Sequence, residues 1–138
     1  MRPTPYLNFD GNCAEAFRFY ARALGAGNEP RLMTFAESNM GEGMSPAEQQ
    51  MIMHAQLDLA AGGQLLGSDA PGGRYRTPQG FSVSLEIETP EAADRVFAAL
   101  GEGGTITMPI EETFWAKRFG MLTDRFGIPW MIDCMKPM

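Results

Sequence analysis

Residues 5–25, PYLNFDGNCAEAFRFYARALG, and residues 81–101, FSVSLEIETPEAADRVFAALG, write the same order of elements twice in one chain. Each runs from an alternating strand through a short turn into a helix that ends at glycine. Glu15-Ala16 matches Glu91-Ala92, and Leu24-Gly25 matches Leu100-Gly101. Strand-like runs follow each copy: MIMHAQLDLA and QLLGSD in the first half, TITMPI and FGMLTDRFGIPWMID in the second. The pattern predicts an α+β fold of two tandem βαβββ modules, about 1–70 and 80–138, within a single domain. Two similar halves that pack face to face enclose a shared cleft, and a ligand is expected there.

The helix limits follow from their punctuation. The first helix is predicted over about 13–24, with Asn12 as N-cap, Glu15 as its capping-box partner and Gly25 as the stop. Phe17, Tyr20 and Leu24 fall at helical spacing and give it one buried face. The second is predicted over about 90–100, with Thr89 as cap, Pro90 at the first helical position and Gly101 at the end. Val96, Phe97 and Leu100 form its apolar stripe. Ala70-Pro71-Gly72-Gly73 and Pro78-Gln79-Gly80 read as a linker of turn residues. The polar segment at about 36–50, AESNMGEGMSPAEQQ, reads either as solvated surface or as a cover over the cleft.

Composition narrows the function classes. Hydrophobic residues at 44% and charged residues at 20% of 138 support one buried core and argue against disorder. A net charge of −6 without a basic cluster argues against nucleic-acid binding. No apolar run approaches membrane-spanning length, and Met1-Arg2-Pro3 opens no signal peptide, so a cytoplasmic protein is expected. Cys13 and Cys134, far apart and outside any CxxC spacing, read as free buried thiols.

Alternation along the strands assigns side chains to faces. Leu7 and Phe9, like Val83, Leu85 and Ile87, should meet the helices. Tyr6, Asn8, Ser84 and Glu86 then lie on the other face, together with His54, Gln56 and Asp58 of the third strand. Such a polar face meets solvent in an ordinary antiparallel sheet, whereas two duplicated sheets can line a cavity with it. His54 is the single histidine of the chain, a structural residue or, beside a carboxylate such as Glu86, a general base. Phe114, Trp115 and Phe119 lie in one segment with Lys117 and Arg118. Two neighbouring aromatics on a strand would point to opposite faces, which puts one of Phe114 and Trp115 outside the core. Met33, Met40, Met44, Met51 and Met53 flank the polar segment, and their thioethers suit an irregular apolar pocket, the core or an interface. Arg118 could meet an anionic group of a ligand or one of the 17 carboxylates of the chain.

LNFDGNCAEAFRFYARALGA, MHAQLDL, GGQLLGSDAP and above all ETFWAKRFGMLTDRFGIPWMID resemble the PhnB-like branch of the vicinal oxygen chelate superfamily. That superfamily includes glyoxalase I, extradiol dioxygenases and bleomycin- and fosfomycin-resistance proteins. The resemblance covers nearly the whole chain and is most specific from Thr113 to Asp133. It implies cupped βαβββ modules with helices on the outer face, and a homodimer. It also implies a divalent metal held by His, Glu or Gln on the first and last strands of each module. Carried over one at a time, those positions fall at Thr4 or Pro5, near Gly67, at Ser82 and at Met131. Proline, glycine and a thioether hold such a cation poorly, and neutral hydroxyls ligate weakly. Relatives are often labelled as resembling a demethylubiquinone methyltransferase, but the Gly-rich strand-to-helix turn of a Rossmann-like nucleotide site is missing here. The expectation is therefore a metal-free protein that binds a small, partly aromatic or anionic molecule in the cup between modules. Tyr6, Asn8, Gln56, Ser84, Phe114, Trp115 and Arg118 are the candidate contacts. The alternative is a metal-dependent lyase, isomerase or dioxygenase using a displaced ligand set that includes His54 and Glu86.

Overall fold

The computed structural model describes residues 1–137 and divides into two compact units, residues 1–76 and from residue 77 on. The first contains β1 (Tyr6–Phe9), α1 (Cys13–Ala23), β2 (Arg31–Thr34), α2 (Pro46–Gln49), β3 (Ile52–Asp58) and β4 (Gln64–Asp69). The second contains β5 (Val83–Glu86), α3 (Pro90–Gly101), β6 (Thr105–Glu111), β7 (Ala116–Thr123) and β8 (Pro129–Met135). Each builds a four-stranded mixed sheet, ordered β1-β4-β3-β2 in one and β5-β8-β7-β6 in the other. In both, the first strand pairs in parallel with the last and the remaining pairs are antiparallel. The βαβββ order is thus present twice, and the short α2 is an addition inside the first copy. Among the described residues, no helix is long and apolar enough to cross a membrane.

The two modules seat their helices by the same device. Leu7, Phe9, Ala55, Leu57 and Leu65 are buried under α1, whose Ala16, Phe17 and Tyr20 are buried in return. A Cβ at Gly67 on β4 would stand 2.7 Å from the Phe17 ring. In the second module a Cβ at Gly120 on β7 would stand 2.6 Å from the Phe97 ring of α3. A bare backbone position under an aromatic ring lets helix and sheet close up, and full burial of each ring contributes about 2–3 kcal/mol. Gly25 ends α1 at φ 61. Its N–H bonds to the Arg22 carbonyl and the Ala26 N–H to that of Ala21, a Schellman closure with Ala26 buried.

At the helix starts, one expectation holds and one is corrected. The Thr89 hydroxyl accepts from the Ala92 N–H, with Pro90 in the first turn as read from the sequence. Asn12 precedes α1 but makes no side-chain cap. The capping oxygen is instead Asp69 Oδ1, which accepts from the N–H groups of Gly11 at 2.9 Å and Cys13 at 3.0 Å. Its Oδ2 accepts from the Ile52 N–H at 2.8 Å, at the start of β3. A fully negative acceptor serving three donors outcompetes an amide side chain for the same helix end. Both cysteines are free and buried, and burial, then Asp69, pushes the Cys13 thiol far above its ordinary value. It is inert packing rather than a nucleophile.

Three acidic side chains are shielded in contrasting ways. Asp69 and Asp124 are each only 3% exposed, and both are satisfied. Asp124 closes the β7–β8 turn: Oδ1 accepts from the N–H groups of Phe126 and Ile128, and Oδ2 from the Trp130 indole at 2.8 Å. Asp133 lies on the face of β8 away from α3, in register with Glu86 on β5 and Phe119 on β7. Its Oδ1 is shielded from solvent and has no hydrogen-bond partner among the described residues. Burial, and next the Glu86 carboxylate, raise its pKa above the usual range.

These environments lead to opposite outcomes on substitution. Asp69→Ala and Asp124→Ala each strand buried donors and should cost roughly 3 kcal/mol in urea unfolding. Asp58→Ala, at an exposed carboxylate, should shift the midpoint far less. Asp133→Asn should behave in the reverse sense. A carboxyl whose folded-state pKa is raised binds its proton more tightly in the native state, so stability is greatest below the unfolded pKa and declines as pH rises through the folded one. Removing that charge should stabilise the fold by roughly 0.5 kcal/mol at neutral pH, with the gain fading toward about pH 4. A gain that does not change with pH would contradict this account.

Candidate functional site

The open face of the first sheet leads to a cavity of about 580 Å³. Strand parity puts Asn8 of β1 and Ser68 of β4 on that face, and the two are register partners. Asn8 and Ser68 line the cavity with Phe35, Met40, Met44 and Glu48 on one flank and Ala70, Pro71 and Arg74 on the other. Every lining residue belongs to the first unit.

The flank formed by residues 35–50, left open in the sequence between surface and cover, is built rather than loose. Phe35 and Ala36 donate to the carbonyls of Met51 and Gln49, which tie the base of the segment to the approach to β3. The Gln49 amide donates to the carbonyls of Gly41 and Met44 and so fixes the bend from within. Ser45 and Glu48 complete a reciprocal capping box at the start of α2. Met40 and Met44 are thereby presented to the cavity, whereas Met33, Met51 and Met53 are not among its walls.

The polar lining has a clear division of labour. The Asp69 carboxylate is committed to its three N–H donors, and Glu48 Oε1 to the Ser45 N–H. Arg74 follows Gly72 and Gly73, whose φ values of 70 and 75 set the turn in a region glycine adopts without strain. Its guanidinium makes no ion pair or hydrogen bond among the described residues. Arg76, two residues on, donates instead to the carbonyls of Gly73 and Tyr75. Asn8, Ser68 and Arg74 are therefore the donors available to a bound molecule.

The residues singled out in the sequence separate into three groups. Tyr6, His54 and Gln56 share the open face with Asn8 but do not line the cavity. The Tyr6 and His54 rings lie 6.3 Å apart, and the Gln56 amide donates to Asp58 Oδ1 at 3.1 Å. Ser84 and Glu86 lie on the corresponding face of the second sheet, Ser84 beside Met131 and Glu86 beside Asp133. Phe114 and Trp115 are not on a strand, contrary to the alternation argument. β7 begins at Ala116, and Thr113 closes a turn around them by bonding both the N–H and the C=O of Ala116. Phe114 is 89% and Trp115 39% exposed, and the rings meet edge-on at 4.8 Å. Trp115 also touches Phe119, at 5.4 Å.

Arg118 takes the second of its two readings from the sequence, a carboxylate of this chain. It is the register partner of buried Cys134, so it stands on the helix side of β7, and its Nε pairs with Asp94 of α3 at 3.0 Å. It does not share the face of Glu86 and Asp133.

The superfamily's metal positions do not fit an ion in this chain. Gly67 offers no donor and faces the Phe17 ring rather than the open face. Met131 lies between Ser84 and Met121 as a thioether. Thr4, Pro5 and Ser82 supply at most neutral hydroxyls. Among the described residues, no three His, Cys, Asp or Glu side chains come together as such a cation requires. His54 and Glu86, the displaced set, belong to different units. Nor is α1 an anion cradle of the nucleotide-binding kind, because the Asp69 carboxylate already stands at its start, bonded to the N–H groups of Gly11 and Cys13.

Sequence reasoning missed Asp69, Arg74 and Asp133. It also missed the capping box, although Ser45-Pro46-Ala47-Glu48 spells the signal.

The comparisons agree with this architecture. A family model described as 3-demethylubiquinone-9 3-methyltransferase matches residues 2–133. Protein YjdN of Escherichia coli is 37% identical over 144 aligned residues, covering 99% of this chain and 97% of YjdN. The crystal structure of PA1353 from Pseudomonas aeruginosa has a TM-score of 0.85 at 39% identity, covering 99% of both chains. A Bacillus cereus PhnB protein follows at TM-score 0.76 and 24% identity, covering 97% of this chain and 99% of its own. A glyoxylase/bleomycin resistance protein/dioxygenase domain from Frankia shares the fold at TM-score 0.63 and 15% identity, covering 99% and 98%. Two βαβββ modules, each closing its first strand against its last, and a match that runs almost end to end place this chain in the PhnB-like 3-demethylubiquinone-9 3-methyltransferase family, with the fold of the glyoxalase/bleomycin resistance/dioxygenase superfamily.

Proposed function

We propose that this chain is a metal-independent binding protein for a small, partly aromatic or anionic molecule, held in the cavity of the first module. The observation that carries this reading is the cavity itself. Its volume suits a ligand of drug-like size, its flank carries an aromatic ring and two thioethers, and three side-chain donors face it without an internal partner. That combination of apolar wall and few oriented polar groups is how small-molecule sites obtain both affinity and orientation.

The methyl-transfer reaction in the family's name is not part of this proposal. The helix start that a bound nucleotide would use is already filled at α1 by the Asp69 carboxylate, bonded there to the N–H groups of Gly11 and Cys13. The metal-dependent alternative, with His54 and Glu86 as ligands, draws its support from the superfamily's chemistry rather than from the donors present in this chain. Family resemblance also supports a homodimer, and light scattering at the mass of one 15.1 kDa chain would contradict that.

A thermal-shift screen of small aromatic compounds tests the binding reading. A ligand at about 100 times its Kd adds about 2.7 kcal/mol, a rise of several degrees in Tm. Ser68→Phe, which fills the cavity from the open face of β4, should abolish that rise, while Ser84→Phe on the other sheet should preserve it. A rise that survives Ser68→Phe would place the ligand elsewhere. The metal question has its own readout. Protein purified without chelator or metal-affinity resin should carry substoichiometric metal, and added divalent ions should leave Tm unchanged. A rise in Tm with metal, lost in both His54→Ala and Glu86→Ala, would establish the alternative.

A further inference from the structure

We infer that the ligand class of the first-module cavity is an organic carboxylate with an apolar body, its anionic end held by Arg74 and its body lying against Phe35, Met40 and Met44. This rests on the binding reading above and adds the chemistry that selects the ligand. Three observations lead to it.

The first is the state of the charges around the cavity. Asp69 lies at its wall, but three N–H groups at 2.8–3.0 Å absorb that charge. Glu48 is engaged through Oε1 at the start of α2, where a negative side chain is favoured by the helix end. Arg74 is exposed, and among the described residues it is the charged lining residue without an internal counterpart.

The second is the contrast with Arg76. Both arginines leave the same Gly72-Gly73 turn. Arg76 spends its guanidinium on two carbonyls of its own loop, whereas Arg74 lines the cavity with all its donors unspent. A planar fork of N–H donors matches the two oxygens of a carboxylate, and such bonds are about twice as strong as neutral ones.

The third is the neutral pair opposite the apolar flank. Asn8 and Ser68 are register neighbours on β1 and β4, and neither side chain has a hydrogen bond among the described residues. An amide and a hydroxyl can complete the coordination of a carboxylate without adding charge, while half-buried Phe35, Met44 and Pro71 and exposed Met40 offer apolar surface to the rest of the molecule. A simple inorganic anion would leave that apolar flank unused.

An isosteric series separates the class from the site: 3-phenylpropionate, 3-phenylpropanamide and 3-phenylpropylamine, titrated at millimolar concentration and followed by ligand-observed NMR. The acid should bind about tenfold or more tightly than the amide. Arg74→Ala should remove that preference, Arg74→Lys should restore part of it, and Arg95→Ala on α3 should leave it intact. Equal binding of acid and amide, or tighter binding of the amine, in each case lost in Ser68→Phe, would overturn the carboxylate class and leave the cavity as the site. Binding of the acid unaffected by both Ser68→Phe and Arg74→Ala would overturn the site as well. Failure of all three probes to bind would count against both.

Discussion

The burial of one carboxylate fixes most of what is distinctive about the first module. Asp69 ends β4, and from there its two oxygens reach the turn before α1 and the start of β3. Removing a charge from water is costly unless its lone pairs are filled, and here three backbone donors fill them. The same contacts anchor α1 against the sheet and bring the chain out of residues 35–50 directly into β3.

The second module reaches a matching sheet by different local means. Thr89 caps α3 from its own turn, and Asp124 organises the β7–β8 reversal. No long-range carboxylate is then needed where Asp69 stands in the first copy, and β8 presents Ile132 to the helix side instead. Its acidic residue, Asp133, is displaced to the open face, beside Glu86 and Phe119. Duplication preserved the apolar layer, while the polar layer diverged. That is the pattern expected when packing constrains one face of a sheet and chemistry is free to change the other.

This difference also determines what could be read from sequence. The βαβββ order, both helices and the faces of Tyr6, Asn8, His54, Ser84 and Glu86 follow from periods of 2 and 3.6, which are local properties. Asn12 was misjudged because its competitor lies more than fifty residues away at Asp69, and a local cap signal carries no information about a distant carboxylate. The Phe114-Trp115 pair was misplaced for a different reason. Alternation assigns faces only within a strand, and the turn closed by Thr113 resets the phase just before β7 begins. The cavity flank contained a legible signal in Ser45-x-x-Glu48, but its packing depends on Gln49 reaching back to two carbonyls, which no spacing encodes. Arg74 is the extreme case, since its proposed role rests on the lack of a partner among the described residues.

The loss of the superfamily's metal donors and the presence of a side-chain-lined cavity have a common physical reading. A divalent ion offers concentrated charge and needs several hard donors held at short range. Where those positions are Pro5, Gly67, Ser82 and Met131, the sheet cannot hold such a charge, and the proposed ligand is attracted by other means. Hydrogen-bond donors supported by an apolar wall meet that need with weaker fields but sharper shape selection. In the first module the wall comes from an inserted segment, residues 35–50, rather than from the sheet. The strands of this fold accordingly serve as a rigid floor that orients Asn8 and Ser68. In the proposed reading, selectivity rests with Arg74 and with the thioethers of a connection that can change length and composition without disturbing the core. Such a division allows one sheet architecture to serve both metal chemistry and metal-free recognition, because the residues that distinguish them lie on the face that packing does not constrain.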